Sequence, residues 1–237
     1  MLVSTHPDTL MFSDPLCHGA RNVIIKNPKT MKLWQEHISH IGQGFIEDEL
    51  GLSANAILKR GVFTIFLGAM GQHGAMRQGL LQIDVLRDTL IAIRKHFQDE
   101  IILLKPHAFT DVDLVRSMLS KNKFSKVFLT HLHPSILGYY SSLVFANHFT
   151  TAFLDAKIFK VKTILYTNFG EQVLKSTGGK SPREEIVDVF ITSDPKAFDQ
   201  FLSKEKMGGP GEGKPLIELN KNEFSGFVSE TRKMLSL

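Results

Sequence analysis

The side chains best suited to chemistry stand in five short polar stretches, each following an apolar run. Lys105-Pro106-His107-Ala108 follows the run 101–104. Pro106 forbids a central-strand continuation and fixes the turn, so one cation and one imidazole are held where the run ends. Lysine neutralises a phosphate, and imidazole donates a hydrogen bond to it or to a ribose oxygen. The plain alternative is a turn with a surface lysine and a structural histidine. Asn147-His148-Phe149-Thr150-Thr151 follows the run 143–146. Its adjacent hydroxyls stand where a helix begins, either as caps or beside free N–H groups that would take a phosphate.

Three weaker stretches repeat the arrangement. Gly68-Ala69-Met70-Gly71-Gln72-His73-Gly74 follows the β-rich run 62–67, and its glycines would let backbone N–H groups approach a ligand. The spacing is neither a Walker loop nor a dinucleotide fingerprint, and a plain strand-to-helix turn fits equally well. His131 and His133 follow the run from Lys126, placed to meet a base or sugar or simply to cap the next helix. Glu171 follows Asn168-Phe169-Gly170 and is suited to a ribose hydroxyl or to acid chemistry, a solvated loop glutamate being the alternative.

Elements must position these stretches. Strands are expected at 62–67, 101–104, 126–131, 143–146, 162–167 and 187–192, being short, apolar and rich in β-branched residues. Between the first two, Leu80, Ile83, Leu86, Leu90 and Ile93 recur at helical spacing over 80–97 and should face a sheet. An acidic helix start is read at Asp111 and Asp113, a short helix at 135–142, another after Thr151, an exposed loop at 175–185, and an N-cap with first-turn proline at Ser193-Asp194-Pro195. Tyr139, Tyr140, Ser141 and Ser142 read as packing and capping. This alternation predicts an α/β fold, a doubly wound parallel sheet of five or six strands, with ligands beyond the strand C-termini.

The flanks are less regular. Pro7, Pro15 and Pro28 interrupt residues 1–60, which read as an irregular N-terminal appendage with a helix near 32–41. Residues 61–206 form the expected nucleotide-binding domain, and 207–237 a Gly/Pro linker followed by an amphipathic helix at 221–235 that packs back on the appendage. Apolar content of 43% and charged content of 22% over 237 residues exclude disorder and a disulfide scaffold. Cys17 is alone, which fits a reducing cytosol. The net charge of +4 suits phosphorylated ligands or an anionic membrane surface, while no basic-aromatic pattern favours nucleic acid. His37 and His40, one helical turn apart, lack a third ligand for a metal. With no apolar run of about 18 residues and no signal pattern, a cytoplasmic location is expected.

The order KPHA, apolar strand, HFTT, then DAKIFKVKTILY resembles, over about residues 61–204, the C-terminal half of GT-B glycosyltransferases of bacterial surface polysaccharide synthesis. These are the sialyl- and Kdo-transferases that use CMP-activated acidic sugars and the related CDP-glycerol glycerophosphotransferases of teichoic acid synthesis. In those families a Lys-Pro-His-Pro segment and an adjacent Ser/Thr pair cradle the cytidine nucleotide phosphate. The resemblance therefore implies donor-phosphate binding by Lys105, Thr150 and Thr151, with His107 helping the leaving group depart and Ala108 replacing the final proline. Gly68, Asn147, His148, His133 and Glu171 complete the expected site. It implies no cofactor beyond a nucleotide-sugar donor, a CMP-linked one first and CDP-glycerol second, a metal-independent reaction, and a glycan or lipid-linked acceptor. Residues 1–60 are too short for the acceptor domain of such enzymes, so a partner domain or subunit, with peripheral membrane association, is expected. A non-catalytic partner-binding module of the same fold is the alternative.

Overall fold

In the computed structural model the described residues are 2–4, 22–24, 29, 32–70, 79–181 and 183–207. The chain divides into two compact units, Met1–His37 with Ile217–Leu237, and Ile38–Leu216. In the first, β1 (Leu2–Ser4) pairs in parallel with β2 (Asn22–Ile24). Helix α1 (Lys32–Leu50) begins there, with Trp34 against His37 at 6.0 Å and Lys32 paired to Glu36 at 3.6 Å. Residues 208–237, including the expected linker and last helix, lie outside the described residues, as do Cys17 and residues 71–78.

The larger unit holds the sheet. Helices α1 and α2 (Ala54–Arg60) precede β3 (Val62–Phe66), which is buried along its whole length. Then come α3 (Gly79–His96), β4 (Ile101–Lys105), α4 (Val112–Lys121), β5 (Val127–Leu129), α5 (Pro134–Tyr140) and β6 (Ser141–Ala146). Helix α6 (Phe153–Lys157), β7 (Lys162–Thr167), α7 (Glu171–Ser176), a 3-10 turn at Glu184–Ile186, β8 (Val189–Thr192) and α8 (Pro195–Met207) complete it. The six strands run parallel in the order β5-β4-β3-β6-β7-β8. Successive strands step outward on one side of β3 and then on the other, as in a doubly wound nucleotide-binding sheet.

Several expectations differ in extent. The helix near 32–41 continues to Leu50, the strand at 126–131 contracts to Val127–Leu129, and part of the expected loop at 175–185 is taken by α7. The short helix expected at 135–142 ends at Tyr140, with Ser141 and Ser142 opening β6, and the strand at 187–192 contracts to Val189–Thr192. Gly42 explains the length of α1. A β-carbon there would lie 3.1 Å from Tyr140, so this glycine lets α1 approach α5 closely, and that contact outweighs its low helix propensity.

Side chains alternate across the sheet. Phe63, Ile65 and Leu67 join Phe145, Ile164 and Tyr166 in one core with Leu86, Leu90 and Ile93 of α3, Val115 of α4 and Phe198 and Leu202 of α8. Tyr166 and Phe198 stack 4.1 Å apart. The stripe read from the sequence is thus core, from Ile83 through Ile93. On the other face, α5 packs close to α6. Gly138 has no room for a side chain there, since a β-carbon would stand 2.5 Å from the Asp155 carbonyl oxygen, and the Ser135 hydroxyl donates to the Asp155 carboxylate.

Buried polar groups set the register. The Thr64 hydroxyl meets the Ser141 hydroxyl at 2.8 Å, and Ser141 donates onward to the Leu137 carbonyl at 2.6 Å. The pairing then skips Ser142, so Val62 aligns with Ser141 but Phe63 with Leu143. At the same N-terminal edge, the Arg94 guanidinium donates to the carbonyls of Phe97, Glu100, Ser125 and Lys126 at 2.8–3.1 Å, closing the entries to β4 and β5.

Two alanine substitutions should act in opposite directions. Gly138→Ala drives a methyl into the Asp155 backbone and should cost about 1–3 kcal/mol. Gly44→Ala fills open space on exposed α1 and should stabilise by about 0.5–1 kcal/mol. Urea unfolding of both variants checks the pair.

Candidate functional site

The direction of winding reverses between β3 and β6, which are neighbours in the sheet although β4 and β5 intervene in sequence. Loops leaving these two strands part to opposite faces, and the crevice between them is where such sheets bind ligands. Gly68 follows β3, and Asn147 and His148 follow β6. A β-carbon at Gly68 would lie 2.8 Å from the His148 ring, so glycine is what admits the imidazole over the end of β3.

The loop after β4 is tied to the same place. Leu67 N donates to the Lys105 carbonyl at 2.9 Å, and Asp111 N to the Met70 carbonyl at 2.7 Å. Between these, the Thr110 hydroxyl donates to the Gly68 carbonyl at 2.8 Å and accepts the His107 amide at 2.8 Å. His107 is exposed, its Nδ1 accepts the Phe109 amide at 3.2 Å, and its ring centroid lies 5.5 Å from that of Phe109. Strands β4 and β6 are two spacings, about 10 Å, apart. Burial first, then the charge of the His107 imidazole, pushes the His148 pKa below the ordinary histidine value. Lys105 Nζ donates to the His131 carbonyl at 3.2 Å, reaching toward β5. Partial burial lowers its pKa, and Glu49 acts against that.

Of the sequence-predicted residues, Lys105, His107, Gly68 and His148 are therefore linked through one stretch of strand ends. Asn147 anchors the framework beneath. Buried at 2% exposure, it donates through Nδ2 to Thr89 at 2.8 Å and to the Tyr166 carbonyl at 2.9 Å, while Oδ1 has no partner among the described residues. Thr150 follows His148 by two residues, and its hydroxyl accepts the Ala152 amide at 3.2 Å, forming a turn before α6. Thr151 is exposed at the start of that turn, its carbonyl accepting from Leu154. His133 caps α5, with Nδ1 accepting the Ser135 amide at 3.1 Å, at the end of β5. Glu171 opens α7 after β7 and pairs with Lys175 at 3.2 Å, both exposed.

Thr110 and Phe109 went unmarked in the sequence. A polar residue three positions after His107 was the available signal, but a loop hydroxyl has no periodicity to single it out. Asp111-Val112-Asp113 also has the spacing of a metal-binding acidic pair. Its carboxylates are engaged at the start of α4, Asp111 accepting the Leu114 amide at 3.0 Å and Asp113 pairing with Arg116 at 3.1 Å. Among the described residues, no group of three or more His, Cys, Asp or Glu side chains is placed to hold a metal.

The fold is similar to that of the wall teichoic acid polymerase TagF. One structure of that enzyme matches with a TM-score of 0.54 at 13% identity, over 97% of this chain and 56% of the enzyme. A histidine-to-asparagine variant matches at 0.54 and 13%, over 100% and 59%, and a histidine-to-alanine variant at 0.53 and 15%, over 97% and 56%. At such identity the likeness concerns the fold: the chain has a GT-B-like α/β fold related to that of TagF. It spans less than three fifths of that enzyme's length. No protein-family model and no curated protein sequence matches the chain.

Two outcomes follow from His148. Gly68→Ala must displace the imidazole from the end of β3, and a backbone-assigned NMR spectrum should show perturbation concentrated at residues 68–70, 107–110 and 147–150. The depressed pKa also gives a pH dependence. The unfolded chain takes up this proton first as pH falls, so the stability contributed by neutral His148 is complete above about pH 6.5 and is lost as pH drops through the lower folded value. Urea midpoints from pH 7.5 to 5 should fall less steeply in His148→Gln than in the wild type.

Proposed function

We propose that this chain is the donor-nucleotide-binding part of a GT-B transferase acting in bacterial surface-polymer assembly, with a cytidine nucleotide as the activating group. The observation that carries this reading is the His148 ring set over Gly68 at the switch of the sheet, with the loop of His107 tied to the same glycine through Thr110. These groups suit an anionic oxygen better than a neutral ligand. When an acceptor oxygen attacks the donor, the bond to the departing nucleotide breaks and its phosphate gains negative charge. Fixed N–H, hydroxyl and ammonium donors stabilise that charge without reorganising. Lys105 supplies a point charge, His107 a directional N–H, and Thr150 and Thr151 hydroxyls beside the start of α6.

Of the two donors that the sequence resemblance implies, the likeness to a teichoic acid polymerase favours CDP-glycerol over a CMP-linked sugar. In both cases CMP is the group that departs, so the same residues serve either reaction. Asn147 supports His148 from below, while His133 and Glu171 stand farther out along the sheet, toward the nucleoside or the transferred group. The acceptor, a glycan or a lipid-linked chain, and the base that deprotonates it belong to another domain or subunit. No helix among the described residues is long and apolar enough to cross a membrane; cytoplasmic residence with peripheral attachment to the membrane completes the proposal.

A thermal-shift panel of CMP, CDP, CDP-glycerol, UDP and GDP on the full chain tests the reading. A ligand at one hundred times its Kd stabilises the folded state by about 2.7 kcal/mol, so cytidine nucleotides should raise the midpoint and the others should not. The His107→Ala/Thr151→Ala double variant should lose the shift. An equal shift in that variant, or none in the wild type, removes the assignment.

A further inference from the structure

His107 is held in a form that decides what it can do. A backbone N–H only donates, so the Phe109 amide, 3.2 Å from Nδ1, requires an unprotonated Nδ1. In the neutral ring the proton then lies on Nε2, which is left as a donor. This hydrogen bond depends on the turn in which His107 and Phe109 sit, and that turn is closed by Thr110. Its hydroxyl accepts the His107 amide, its own amide donates to the His107 carbonyl at 3.0 Å, and the hydroxyl proton goes to Gly68. Met70 and Thr110 also pair as an isolated parallel bridge. Thr110 thus joins the end of β3 to the end of β4 with one oxygen that donates and accepts at once. His133 shows the same economy one strand outward, where Nδ1 accepts the Ser135 amide. Two successive strand ends therefore each hold an imidazole through an Nδ1 that accepts a backbone amide.

We infer that Thr110 is the positioning residue of this site: by bridging Gly68 and the His107 amide it fixes His107 as an Nε2–H donor, suited to an anionic oxygen and unsuited to removing a proton. For its ligand the inference rests on the phosphate reading above; the tautomer does not. A valine has the shape of threonine but neither donates nor accepts, and would leave the Gly68 carbonyl and the His107 amide unmatched. A serine restores both bonds. The consequence for catalysis is that His107 assists the leaving group, while the base that activates the acceptor is a different residue.

The test uses the full-length chain labelled with nitrogen-15 histidine, in the wild type, Thr110→Val and Thr110→Ser, with His107→Gln to assign the resonance. In the wild type and Thr110→Ser, His107 should show a protonated Nε2 and a bare Nδ1 at pH 8. In Thr110→Val it should shift toward a mixture of tautomers, as for imidazole free in water. CDP titration should show about tenfold weaker binding for Thr110→Val, a difference of about 1.4 kcal/mol, and near wild-type binding for Thr110→Ser. Circular dichroism melts establish that each variant is folded; a Thr110→Val that does not fold is replaced by Thr110→Ala, which removes the same hydroxyl. A protonated Nδ1 in the wild type, or an unchanged tautomer in the folded hydroxyl-free variant, overturns the inference. If the tautomer behaves as expected but the wild type binds no cytidine nucleotide, the positioning role stands and the nucleotide reading falls.

Discussion

The pairing of β3 with β6 is the constraint on which the rest of the molecule depends. These strands meet at the centre of the sheet although two strand-helix units separate them in sequence, so no local turn sets their alignment. Buried polar groups set it instead. Thr64, Ser141 and the Leu137 carbonyl form a continuous chain of hydrogen bonds, and any other alignment would strand at least one of them away from water. The side-chain period along a strand is two residues, so a slip by one would turn every β6 residue to the wrong face. Asn147 would leave Thr89 and the Tyr166 carbonyl, and His148 would no longer cross Gly68. The skipped residue at Ser142 is part of the same alignment, placing Leu143 rather than Ser142 opposite Phe63.

Much of this architecture was legible because it is periodic. The stripe on α3 and the apolar strands needed only spacing, and β7 falls at the expected residues. Ser193-Asp194-Pro195 was readable as chemistry: Asp194 accepts the Ala197 amide at 2.9 Å and Pro195 opens α8. What escaped depended on tertiary contact. Gly42 looks like a helix terminator until Tyr140 is set against it, and the six residues of α7 are too few to carry an amphipathic pattern. In the site, Lys105 and His107 were visible because Pro106 fixes their turn. The role of Thr110 was not, since its partners lie at Gly68 and His107, on two different loops.

The placement of donors also separates two functions that a histidine can combine. An imidazole with both nitrogens free shuttles a proton; one with Nδ1 committed to a backbone amide offers a fixed direction and little else. His107 and His133 are of the second kind. His148 differs, being partly buried and held neutral by its surroundings. On the proposed function, a crevice lined this way is prepared for charge that arrives with a ligand.

The Arg94 clamp and the exposed ion pairs beside it differ in their sensitivity to ionic strength. Four short bonds from a guanidinium to neutral carbonyls depend on contact geometry, and mobile ions compete with them poorly. Exposed ion pairs such as Lys126 with Asp99 are screened within about 8 Å in physiological salt. Raising the salt concentration should therefore loosen the exposed ion pairs while the guanidinium keeps the entries to β4 and β5 at their spacing.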